Sequence, residues 1–176
     1  IARLCCCGYS QSVLRRLMTR FVGIDPGAKG SFCFLDSKTK EIEFWPNPIM
    51  GIYSAVIYDL IMDRNKEQPI HMIGIEEVHS IFGTSAKSNF SFGFNVGIVH
   101  TIADITGIGV DLVQPKEWQK ACGIRFKTGM KPAEKKQVTV GRALQLYPAA
   151  PLHGPKGGIM DGRADALMIA HYLSLK

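Results

Sequence analysis

The chain has 176 residues, enough for one domain with a full hydrophobic core. Its hydrophobic content of 46% is that of a globular protein, and no apolar run approaches the roughly 18 residues of a membrane-spanning helix, so no membrane partner is expected. A formal net charge of +6 points to a polyanionic partner, nucleic acid first.

Residues 1–20, IARLCCCGYSQSVLRRLMTR, hold four arginines and no acid. They are expected to stand apart from a folded domain at 21–176. One origin is a presequence remnant, since such segments are Arg- and Ser-rich and acid-poor; the other is upstream read-through before a start at Met18. Cys5, Cys6 and Cys7 are too crowded to pair with each other, while Cys33 and Cys122 fall in a strand and at a helix end as buried thiols. Cysteines without framework spacing suit a reducing, intracellular setting. That setting is bacterial or phage-infected cytoplasm, or an organelle if the N-terminus is a presequence.

From residue 20 onward, RFVGID, SFCFLD and EIEFWP predict three consecutive strands joined by a Pro–Gly turn and an SKTK turn. MGIYSAVIYDLIMDR has apolar residues at helical spacing, and HMIGIEEV returns to a buried strand. SNFSFGFNVGIVHTIADIT predicts a long apolar helix, in which Gly93 and Gly97 allow close packing on a neighbour and Phe90 and Phe94 are placed in the core or at a dimer interface. GVDLVQP is a fifth strand, stopped by Pro115. KEWQKACG, PAEKKQVTVGRALQLY and DGRADALMIAHYLSL follow as helices, with Trp118 as a core anchor. A meander of strands followed by alternating helix and strand predicts a mixed α/β sheet with helices on both faces.

Four acids fall at informative places. Asp25 ends the first strand inside FVGIDPGAKGS, where on this stretch alone the turn cap, bonding nearby backbone N–H groups, is the first reading and a metal ligand on a rigid mount the second. Glu76 ends the fourth strand, with Glu77 beside it. Asp161 and Asp165 lie one turn apart on one face at the start of the last helix. Asp161 also suits a plain first-turn position, where the helix dipole favours acids. Asp165 sits among Ala166, Leu167, Ile169 and Ala170, so it is expected to face the sheet or a cleft. If the first and fourth strands are neighbours, a helix packed across them brings these acids to one edge. Clustered carboxylates repel and resist ionisation unless a cation joins them. An oxygen-only donor set suits Mg²⁺ or Mn²⁺. Two such ions about 4 Å apart activate water and stabilise the leaving oxygen of a phosphodiester.

The segments VGIDPGAKGS, IGIEEVHS, FGFNVGIV, VQPKEW, PAEKKQV and DGRADALMIAHYL, in this order over residues 21–174, resemble RuvC-type Holliday junction resolvases. The resemblance implies a ribonuclease H-like fold: a five-stranded mixed sheet, its first three strands antiparallel, flanked by helices on both faces. It implies a homodimer that nicks two opposed strands of a four-way DNA junction with Mg²⁺ or Mn²⁺, leaving 5′-phosphate and 3′-hydroxyl ends. Carried over by position, Asp25, Glu76, Asp161 and Asp165 are the metal-binding catalytic set, and Lys135 is a lysine of the active site or DNA backbone. Glu77 is a neighbour or ion-pair partner. Two departures stand out. The family usually spaces its last two acids three apart, and here the gap is four. An aromatic residue that helps open the junction usually lies three residues after the strand-four glutamate; here that residue is His79, with Phe82 as the replacement and His79 as an auxiliary proton or orienting group.

Between Lys116 and Arg142 eight basic residues face only two acids. This run is either a solvated face or a phosphate-contacting surface, positioning DNA without reading bases. The expected DNA contacts are Phe82, Lys87, Lys116, Lys120, Arg125, Lys127, Lys131 and Lys136. Alternatives to a junction nuclease are another ribonuclease H-like nuclease acting on RNA–DNA hybrids or other branched DNA, and a junction-binding protein that does not cut. An actin- or sugar-kinase-type ATPase needs a second lobe that this chain is too short to form.

Overall fold

The computed structural model describes residues 19–47, 54–79, 83 and 85–176. Cys5, Cys6, Cys7 and Phe82, with residues 1–18 of the expected extension, lie outside them. Strands β1 (Arg20–Ile24), β2 (Ser31–Asp36) and β3 (Ile42–Pro46) form an antiparallel meander. β4 (Ile70–Glu76) and β5 (Val110–Val113) run parallel to β1, giving the order β3-β2-β1-β4-β5. Every residue of β2 is buried, as befits an interior strand covered on both faces.

Helices α1 (Ser54–Glu67) and α2 (Ala86–Ile105) cover one face. Their Ile57, Ile61, Val99 and Ile102 pack with Val22, Ile24, Ile73 and Ile75. Helices α3 (Pro115–Ala121), α4 (Pro132–Leu146) and α5 (Asp161–Ser174) cover the other. There Trp118, Val140, Ala143 and the apolar run Ala166–Ala170 pack with Phe21, Cys33 and Leu35. Cys33 and Cys122 are buried free thiols, as expected.

Strand alternation decides which face each residue meets. Along β1, Val22 and Ile24 face α1 and α2, so Phe21, Gly23 and the following Asp25 face α5. Along β4, Ile73 and Ile75 take the α1–α2 side, which leaves Gly74 and Glu76 toward α5. Parallel register sets Ile24 opposite Ile75, so Asp25 and Glu76 follow one step later on adjacent strands and the same face. Close approach by α5 requires Gly23: a Cβ there would lie 2.1 Å from the Ala166 carbonyl oxygen and 2.5 Å from the Ala170 nitrogen.

The structure corrects one core assignment. Phe90 and Phe94 are 77% and 50% exposed, so they are not core residues. Gly93 and Gly97 have open space where a Cβ would project. α2 has too many apolar positions around its circumference to bury them all against one sheet face, and its surplus points outward. With Tyr58 and Ile105, this face lines a groove of about 610 Å³ between α1 and α2.

Candidate active site

Asp25 sits where β1 breaks into the turn to β2. Its Oδ1 accepts the Gly27 N–H at 2.9 Å, so the turn-capping role exists. The turn itself is clamped from the end of β3. Asn47 Nδ2 donates to the Asp25 and Gly27 carbonyl oxygens at 2.6 and 2.8 Å. The first turn of α5 rests on the same loop. A Cβ on Gly162 would stand 2.3 Å from the Lys29 carbonyl oxygen and 3.0 Å from Asp25 Oδ2. Glycine at 162 is therefore what lets the helix carrying Asp161 and Asp165 reach the carboxylate of Asp25.

The four acids share one field. Burial raises the Asp25 pKa, with repulsion from Asp161 adding to it, against the Gly27 N–H and the Lys136 ammonium. Glu76 is pushed up to about 7, first by burial and then by Asp25, with an indole N–H opposing. Burial raises Asp165 well above the usual carboxylate range, reinforced by Asp25, Glu76 and Asp161. These are the shifts expected of like charges gathered out of water without a resident cation. Among the described residues, no three His, Cys, Asp or Glu side chains are already gathered into a coordination cage; the acids share an edge and a field. As a donor set they are oxygen-only and short of positive charge, which fits a hard divalent cation.

Two lysines at the start of α4 part company. Lys136 Nζ pairs with Asp161 Oδ2, and its pKa rises through that bond and the nearby Asp165 and Asp25. Lys135 Nζ instead lies 5.7 Å from the Phe126 ring centroid. The lysine that reaches the acids is thus Lys136, which the sequence places on DNA, rather than Lys135, which the resemblance assigns to the active site or the DNA backbone. Adjacent helical residues point about 100° apart, and the sequence does not fix that phase.

A cleft of about 610 Å³ opens beside the acids, lined by Asp25, Glu76, Glu77, His79, Gln114 and Lys116 among others. His79 and Lys116 are exposed on its walls. Lys87, Lys120, Arg125, Lys127 and Lys131 are exposed as well; the last three lie on or at the end of the irregular segment between α3 and α4. Three contacts went unread in the sequence: the Asn47 clamp, the Gly162 approach, and a hydrogen bond from Trp118 Nε1 to Glu76 Oε1 at 3.0 Å. Trp118 is the expected core anchor, 1% exposed, and it also touches the site.

No protein-family model matches the sequence, and no curated protein matches it. Solved structures do. T. thermophilus RuvC in complex with a Holliday junction substrate matches with a TM-score of 0.57 at 15% identity, over 88% of this chain and 91% of that one. The Thermus thermophilus RuvC structure matches with a TM-score of 0.57 at 16% identity, over 87% and 92%. The yeast mitochondrial Holliday junction resolvase Ydc2 aligns over 93% of this chain and 83% of its own, at 16% identity and a TM-score of 0.46. The chain therefore has the ribonuclease H-like fold in its RuvC form, with the first three strands antiparallel. Among the described residues, no helix is long and apolar enough to cross a membrane.

Proposed function

We propose that this protein is a metal-dependent, structure-selective endonuclease that resolves four-way DNA junctions by paired symmetric nicks. The observation that carries it is the arrival of Asp25, Glu76, Asp161 and Asp165 at one sheet edge from three separate elements, beside an open cleft. A protein that only bound DNA would gain nothing from clustered carboxylates, which repel phosphates. The RuvC fold and the junction in the solved complex of that neighbour support four-way DNA as the substrate.

Asp25, Glu76, Asp161 and Asp165 would hold Mg²⁺ or Mn²⁺, two ions among four carboxylates. Bound there, the cations supply water activation and stabilisation of the leaving oxygen. Water adds to phosphorus and the P–O3′ bond breaks, leaving 5′-phosphate and 3′-hydroxyl ends. Lys136 offsets the negative charge of the acid cluster as a phosphate approaches. Lys116 on the cleft wall, with Lys87, Lys120, Arg125, Lys127 and Lys131, holds the DNA backbone. His79 and Glu77, on the cleft lining, orient groups near the scissile linkage. Paired nicks need two acid sets and this chain carries one, so the active form is a homodimer. Its seam is the outward apolar face of α2, where Phe90, Phe94 and Ile105 are exposed.

The test is a synthetic four-way junction incubated with protein and Mg²⁺ or Mn²⁺, alongside linear duplex and RNA–DNA hybrid. Symmetric nicks confined to the junction are expected. Asp25→Asn should abolish cutting while junction binding persists. Preferential cutting of the hybrid, or full activity in Asp25→Asn, would refute the assignment.

A further inference from the structure

A buried tryptophan brings one polar atom into the core, and its indole N–H must find an acceptor. Among the described residues, Trp118 is the largest fully buried side chain. It lies in α3, which starts directly beyond β5 and packs under the sheet edge where the acids collect. Its acceptor is Glu76 Oε1, at 3.0 Å, from a residue 42 positions away. A shape-filling role alone would be met by any large apolar ring.

The terminal torsion of a glutamate is broad and nearly two-fold, so the side chain alone does not set the plane of its carboxylate. A donor fixed in the core does set it. Two neighbouring acids also have one oxygen engaged, though by donors outside the core: the Gly27 N–H of the turn on Asp25 Oδ1, and the half-exposed Lys136 on Asp161 Oδ2. On three of the four acids, then, a protein donor engages one oxygen. Glu76 also lines the cleft.

We infer that Trp118 is a positioning residue for cation binding: its N–H fixes the carboxylate plane of Glu76 so that the other oxygen is presented to a divalent cation in the cleft. This rests on Glu76 being a cation ligand, as proposed above. Metal ligands are generally held this way by outer partners whose loss weakens affinity about tenfold to a hundredfold.

The test is Mn²⁺ titration calorimetry on the metal-stripped full chain, comparing wild type, Trp118→Phe and Glu76→Gln, with circular dichroism to confirm folding. Trp118→Phe keeps an aromatic ring and loses the N–H. Mn²⁺ binding in that variant is expected to weaken about tenfold or more. Unchanged affinity in Trp118→Phe, with loss in Glu76→Gln, overturns the inference and leaves the nuclease site standing. Unchanged affinity in Glu76→Gln removes Glu76 as a ligand, and both ideas fall. Should Trp118→Phe not fold, Trp45→Phe leaves Trp118 as the single tryptophan, and paramagnetic Mn²⁺ should quench its emission with the calorimetric midpoint. Emission that ignores saturating Mn²⁺ overturns the inference, because it places the cation away from the Glu76 carboxylate that Trp118 holds.

Discussion

Gly162→Ala tests the geometry of the site without touching an acid. The added Cβ would sit 2.3 Å from the Lys29 carbonyl oxygen, 2.8 Å from Gly30 Cα and 3.0 Å from Asp25 Oδ2. The first two are backbone atoms of a turn that Asn47 clamps at two carbonyls, so neither yields as a flexible side chain would. Non-bonded atoms relax at roughly 3.5 Å, so the start of α5 must lift from the turn by about 1 Å. Overpacking of that kind costs about 1–3 kcal/mol, a melting-temperature loss of about 2–12 °C for a chain of this size. The catalytic cost should exceed what stability predicts, because Asp161 and Asp165 move away from Asp25 and Glu76 together. A misplacement of about 1 Å costs on the order of a hundredfold in rate. Single-turnover junction cleavage, measured well below the melting temperature, should fall by about that factor while junction binding stays within a few-fold. A variant that cuts at the wild-type rate would show that the contact between α5 and the turn does not set the spacing of the acids.

The two lysines of α4 should separate cleanly. Lys136→Met is expected to slow junction cleavage about tenfold or more by exposing the acid cluster to the incoming phosphate, and Lys135→Met should cost only a few-fold; the reverse order would return the role to Lys135. Without metal, burial and mutual repulsion raise Asp25, Glu76 and Asp165. Each then binds its proton more tightly folded than unfolded, so stability is fully present below the unfolded pKa, 4.5 for Glu76, and drains as pH climbs through about 7. Melting temperature in chelator should fall across that window and recover with Mn²⁺, whereas a flat profile would sink the electrostatic account. Phe94→Asp puts a charge on the exposed face of α2, and sedimentation should report a shift from dimer to monomer; an unchanged dimer would place the seam elsewhere.

Much of this site was legible because its elements are strongly patterned. Apolar runs ending in single acids marked β1 and β4, and the i,i+4 pair marked the face of α5. The shared facing of Asp25 and Glu76 then follows from strand period and parallel register. What stayed hidden depends on three-dimensional approach. Phe90 and Phe94 share composition with core residues, and only the single sheet face available to α2 decides that they stay outside. Lys135 and Lys136 are chemically identical neighbours, told apart only by the helical phase that sends one to Phe126 and the other to Asp161.

The unread contacts share a physical origin. Asn47, Gly162 and Trp118 carry no charge and no motif of their own, yet each controls the placement of an acid through backbone or through one hydrogen bond. Four carboxylates drawn together oppose the fold that gathers them, so the edge must be over-determined to hold them. The Asn47 clamp fixes the turn, glycine admits the helix, and the indole orients a side chain. Sequence patterns reveal the residues that bear charge; the residues that make the charges converge become visible only where the backbone brings them into contact.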